Sequence, residues 1–81
     1  MNPCGLTKRV NALQREAVRL GRRVRWGDRA LDNAVRAAWH RARSAQDLAE
    51  RGDCEGAREH LKMSIGKLRD ARRLMADEAS R

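Results

Sequence analysis

Three runs of apolar residues at alternating intervals, divided twice by a Gly-Asp pair, constrain this chain more than any other feature. Leu6, Val10, Leu13, Ala17, Leu20 and Val24 make the first run. Leu31, Val35, Ala38, Ala42, Ala45 and Ala49 make the second, and Ala57, Leu61, Ser64, Leu68, Ala71 and Met75 the third, with Ile65 beside it. Steps of four and three residues return each side chain to one side of an α-helix, the pattern of a coiled-coil seam. Each run predicts an amphipathic helix. Gly27-Asp28 and Gly52-Asp53 stand between the runs. A glycine suits the left-handed position after a helix, and the following aspartate suits the cap of the next. The expected helices cover 3–26, 28–51 and 53–78, with Asn2 and Pro3 opening the first.

At about 1.5 Å per residue the three helices are each roughly 30–38 Å long. Similar lengths and short turns predict one all-α domain over 1–81, an antiparallel up-down-up three-helix bundle. With no Tyr or Phe, one Pro and few β-branched residues, composition speaks against an all-β design. The core is expected to be thin. Thirteen residues are alanine, and only eighteen are Val, Leu, Ile, Met or Trp. A domain this small often draws on a disulfide, a metal or self-association, so a homodimer is left open, with Met63 and Leu74 away from the third seam as its candidate surface. Gly66 inside the third helix costs about 1 kcal/mol relative to Ala. Close packing against the alanine-rich second helix is the expected reason for it.

The second turn resembles the inner turn of a tetratricopeptide repeat hairpin, on Leu48, Gly52, Asp53, Ala57 and Leu61. The repeat's first-helix positions fall on Arg41 and Ser44, no proline closes the unit, and no second copy is present. No peptide-binding role is carried over from it. Arg51-Gly52-Asp53 also spells the integrin-binding tripeptide, but a terminal glycine followed by a capping aspartate accounts for it.

Two cysteines and two histidines are scattered too widely for a zinc motif. No metal or cofactor is expected. The stretch after the first nine residues holds no continuous apolar segment, and nothing approaches the ~18 apolar residues of a membrane span. The expectation is a cytoplasmic protein away from membranes. Cys4 and Cys54 then read as ordinary small apolar residues, with a disulfide between them as the lesser alternative in a reducing compartment. No nucleophile stands beside an activating base and no glycine-rich phosphate loop occurs, so no enzyme is expected.

The charge is segregated. Residues 1–43 hold eleven basic and three acidic side chains, and 44–81 hold eight of each, so the whole net charge of +8 lies in the first part. On a helix, Lys8, Arg15, Arg19, Arg22 and Trp26 form a stripe opposite the first seam. Arg29, Asn33, Arg36, His40 and Arg43 do the same opposite the second. The third helix carries Glu55–Arg58, Glu59–Lys62 and Asp70–Arg73 at the spacing of ordinary surface pairs. Sixteen of the nineteen cations are arginine, the residue for bidentate contacts to phosphate or carboxylate, although a GC-rich genome enriches Arg as well. Trp26 sits among Arg22, Arg23, Arg25 and Arg29 outside the seam, a recurrent hot-spot composition. A lid over the bundle end is the alternative for Trp26, and core the expectation for Trp39.

The candidate partner-binding set is therefore Lys8, Arg15, Arg19, Arg22, Arg23, Arg25, Trp26, Arg29 and Arg36. This set suits two functions. In one, the chain docks an acidic protein surface or a subunit of a nucleoprotein complex as an inhibitor or regulator. The analogy there is with small motif-free helical proteins of phages and plasmids. In the other, the basic face of helices one and two binds a nucleic-acid backbone without sequence preference. Base-reading residues and a flexible basic tail are lacking, which tilts the balance toward a protein partner.

Overall fold

The computed structural model describes residues 3–80 and is all-helical, with no strand among them. A short 3₁₀ turn, Pro3–Gly5, precedes α1 (Thr7–Gly21), α2 (Arg29–Glu50) and α3 (Cys54–Ala79). The molecule is elongated, 45 × 18 × 17 Å.

The two Gly-Asp pairs act as their chemistry dictates. Gly27 and Gly52 take φ of +91° and +87°, the region where a Cβ is costly. Gly52 N–H donates to Ala49 O and Asp53 N–H to Leu48 O, at 3.0 and 2.9 Å. This reciprocal pair of bonds satisfies carbonyls that the end of α2 leaves open. Asp28 accepts from Leu31 N–H at 3.2 Å and Asp53 from Gly56 N–H at 2.9 Å, so both aspartates cap helix N-termini.

The first helix is shorter than its apolar spacing implies. Asn2 lies outside the described residues. Cys4 and Gly5 have φ of +56° and +67°. Two successive left-handed residues cannot continue a right-handed helix, so α1 starts at Thr7. At its other end, Arg23 N–H donates to Leu20 O and Val24 N–H to Gly21 O, at 3.0 and 3.2 Å. These tighter bonds wind the helix down at a glycine set in a crowd of like charges, Arg19 before it and Arg22, Arg23 and Arg25 after it. Val24 still packs half-buried on the core, but from the turn.

Burial tracks the seams. Every member of the second run is buried. In the first and third, Leu13, Val24 and Met75 are half-buried and the others buried. The core has two adjoining parts. One joins Ala17 and Leu20 of α1, Leu31, Ala34, Val35 and Ala38 of α2, and Leu68 and Ala71 of α3. The other joins Leu6 and Val10, Ala42, Ala45 and Ala49, and Ala57 and Leu61, with Cys4 and Leu48 against it. Leu13 touches both. The start of α1 thus shares a cluster with the end of α2 and the start of α3. Leu31 and Leu68 are 1% exposed, and each buried leucine contributes about 1.5–3 kcal/mol relative to an exposed one. The small side chains of α2 let it pack closely on both neighbours, whereas α1 and α3 meet sparsely.

Several expectations are corrected. Cys4 and Cys54 are joined by a disulfide, their Cα atoms 5.5 Å apart; the shared cluster at that end of the molecule brings them together. Gly66 is not a close-packing site, because a Cβ there would meet nothing within 4 Å. Leu74 is half-buried against the core and is not among the exposed large apolar residues, as Met63 is. Of the three surface pairs on α3, only Lys62–Glu59 forms among the described residues, at 3.5 Å. Among the described residues no helix is long and apolar enough to cross a membrane.

Candidate functional site

All nine residues expected to bind a partner are exposed, yet they do not form one continuous stripe. Because α1 ends at Gly21, Arg22 is its cap and Arg23, Arg25 and Trp26 belong to the turn beyond it. There the backbone is held by bonds from Asp28 N–H to Arg25 O and from Arg29 N–H to Gly27 O, at 3.1 and 3.0 Å. The turn leaves the Trp26 side chain fully in solvent, at 103% relative exposure. The alternative of a lid over the bundle end is therefore excluded. Trp26 borders a shallow depression of about 580 Å³ that is also lined by Val24, Arg25, Asp28, Arg29 and Asp32.

The cations around this indole are not all free. Arg25 pairs with Glu78 near the end of α3 at 3.8 Å, and Arg36 with Asp32 at 3.0 Å. Both pairs lie in solvent, where the net gain is about 0–1 kcal/mol. Glu16 pairs with Arg72 across α1 and α3 and so neutralises none of the expected set. Among the described residues, Lys8, Arg15, Arg19, Arg22, Arg23 and Arg29 make no ion pair.

Arg15, Arg19 and Arg22 converge on a second depression of about 540 Å³ over the outer side of α1 and α2, together with Asn11, Gln14, Val18 and Trp39. No carboxylate lines it. Trp39, expected in the core, is half-buried, with one side against the core and the other at this groove. The guanidinium of Arg43 lies 5.9 Å from the Trp39 ring centroid, within cation–π range. The His40 and Trp39 ring centroids are 5.3 Å apart with the rings nearly perpendicular. Val18, 46% exposed, completes an apolar strip in a cationic frame. The signal was legible in part. Arg43 comes four residues after Trp39, one helical turn, but nothing local places the face of α1 beside them. Lys8 and Arg23 line neither depression, and Arg36 lies on the far side of Trp39.

No group of three or more His, Cys, Asp or Glu suited to a metal ion occurs among the described residues. Comparison with protein-family models, with curated proteins and with solved structures gave no match to this chain.

Proposed function

We propose that this chain is a small, non-enzymatic, basic binding protein. Its three helices, read as an up-down-up bundle, present the α1–α2 turn to an acidic protein surface or to a subunit of a nucleoprotein complex, as an inhibitor or regulator does. The observation that carries this reading is Trp26. An indole held wholly in water beside Arg29, which makes no ion pair among the described residues, and Arg25, whose pair with Glu78 lies in solvent, is costly to leave there. Tryptophan and arginine together are the composition of interface hot spots. An acidic pocket would desolvate the ring and pair the guanidinium groups at once.

The second reading, a phosphate backbone lying along α1 and α2, draws on the carboxylate-free groove framed by Arg15, Arg19 and Arg22. Trp39 would offer a stacking surface there. The Cys4–Cys54 bond is of a kind that persists in oxidising compartments, which weighs against the cytoplasmic setting expected from the sequence.

Affinity capture from the native host, with and without nuclease, separates the two readings. A complex that survives nuclease, and that Trp26→Ala weakens by more than ~2 kcal/mol, supports the protein partner. Loss on nuclease treatment, with a log–log salt slope near about −5 for six phosphate contacts, selects the nucleic acid. Capture unaffected by Trp26→Ala overturns the role given to the indole.

A further inference from the structure

The side of the molecule away from the basic face carries a second feature. Where α1 and α3 meet sparsely, Ala12, Leu13, Leu61 and Ile65 line an apolar niche of about 320 Å³. Arg9 from α1 and Arg58 and Lys62 from α3 frame it, and no carboxylate lines it. Ile65 is 45% exposed, a large β-branched side chain left in water beside an open cavity. Two links between chain segments lie to either side of the niche along the helices. The Cys4–Cys54 disulfide joins the chain ahead of Arg9 and Arg58, and the Glu16–Arg72 ion pair bridges α1 and α3 beyond Leu13 and Ile65.

We propose that this niche binds a medium-chain fatty carboxylate, its alkyl chain over Leu13, Leu61 and Ile65 and its head group on the framing cations. Three facts select this occupant. The volume lies at the small-ligand end of pocket sizes. The floor is apolar, and the ionisable groups that line it are cations, of which Arg9 and Arg58 make no ion pair among the described residues while Lys62 pairs with Glu59, so the complementary ligand joins an alkyl body to an anion. The apolar lining covers only Ala12 and Leu13 of α1 and Leu61 and Ile65 of α3, which suits a compact ligand better than a partner helix, which needs a continuous groove for successive anchors. The niche is independent of the role given to Trp26.

The test is a titration of the full, oxidised chain with decanoate below its micellar range, monitored by amide NMR shifts, with decanol as the neutral probe. Saturable shifts confined to the neighbourhood of Ala12, Leu13, Leu61 and Ile65 are expected, with decanoate binding more tightly than decanol. The paired change Arg9→Ala with Arg58→Ala should weaken decanoate about tenfold and leave decanol unchanged. Ile65→Glu, at an exposed position that the fold tolerates, should abolish binding of both probes, while Trp26→Ala should alter neither. Equal affinity for decanoate and decanol, shifts spread over the whole surface, or preference of the niche for an acidic amphipathic peptide would each overturn the proposal. Because Trp26→Ala is silent here, failure of this site and failure of the Trp26 interface are told apart.

Discussion

Ser64 shows how one polar residue can hold a position in an apolar seam. Its side chain is wholly buried and donates from Oγ to Ala38 O at 2.7 Å, tying α3 to α2. A larger residue would push the two helices apart where α2 is all small side chains. Ser64→Ala removes the bond and should lower stability by about 1 kcal/mol, read as a shift in urea midpoint at constant slope. The seam position of Ser64 was legible in the sequence. Its partner was not, because a backbone acceptor on another helix leaves no mark in a residue pattern. Gly66, two residues on, has the opposite character. It lies inside α3 with open space where a Cβ would be, so only the propensity term remains. Gly66→Ala should stabilise by about 0.5–1 kcal/mol and raise the melting temperature by roughly 2–8 °C. A loss of stability would mean that Gly66 meets something on α2 after all.

At the scale of elements, the helix ends were read from turn chemistry with uneven success. Gly-Asp is a local code in which the glycine permits the left-handed residue and the aspartate caps the next helix. Both left-handed glycines and both capping aspartates therefore fall where the sequence placed them, although the first connection already begins at Arg22. The ends of α1 have no such code. Its apolar spacing runs on to Val24 because Val24 does reach the core, but from a turn. Periodicity reports which residues are buried and is silent on whether the backbone between them is still helical. The caps make a further prediction. Asp53→Ala removes the acceptor for Gly56 N–H and should cost about 1 kcal/mol, within the range found for such caps. Gly56→Ala is a sharper probe of the same turn. Its added Cβ would stand 2.5 Å from Asp53 Oδ2 and force the capping carboxylate aside. The usual gain of replacing a helical glycine should therefore be cancelled, and denaturation should show no stabilisation where Gly66→Ala shows one.

For the molecule as a whole, segregated charge and a thin core pull in different directions. Eight net positive charges concentrated in the first part repel one another, and the second part returns Glu78 to Arg25 as a solvent-exposed pair. Exposure of the expected cations was legible from helical phase alone. Their grouping into a tip around Trp26 and a groove around Trp39 was not, since it depends on where α1 ends and how it lies on α2. Self-repulsion leaves the burden of cohesion on an alanine-rich core and on the Cys4–Cys54 bond, which spans 50 residues. On the chain-entropy account a loop of that length contributes about 4 kcal/mol. That is a large share of the roughly 4–12 kcal/mol available to a domain of this size. Replacing both cysteines by serine should therefore lower the melting temperature by roughly 15–30 °C, with the variant still helical by circular dichroism at low temperature. The bond lies in the core part that holds Leu6 and Leu61, whereas Trp26 comes just after Val24, which packs on the other part. A partner held through Trp26 should then bind the serine variant with unchanged affinity wherever that variant is folded. Loss of affinity in step with loss of the disulfide, at a temperature where helicity is intact, would place the binding surface at the cysteine end instead.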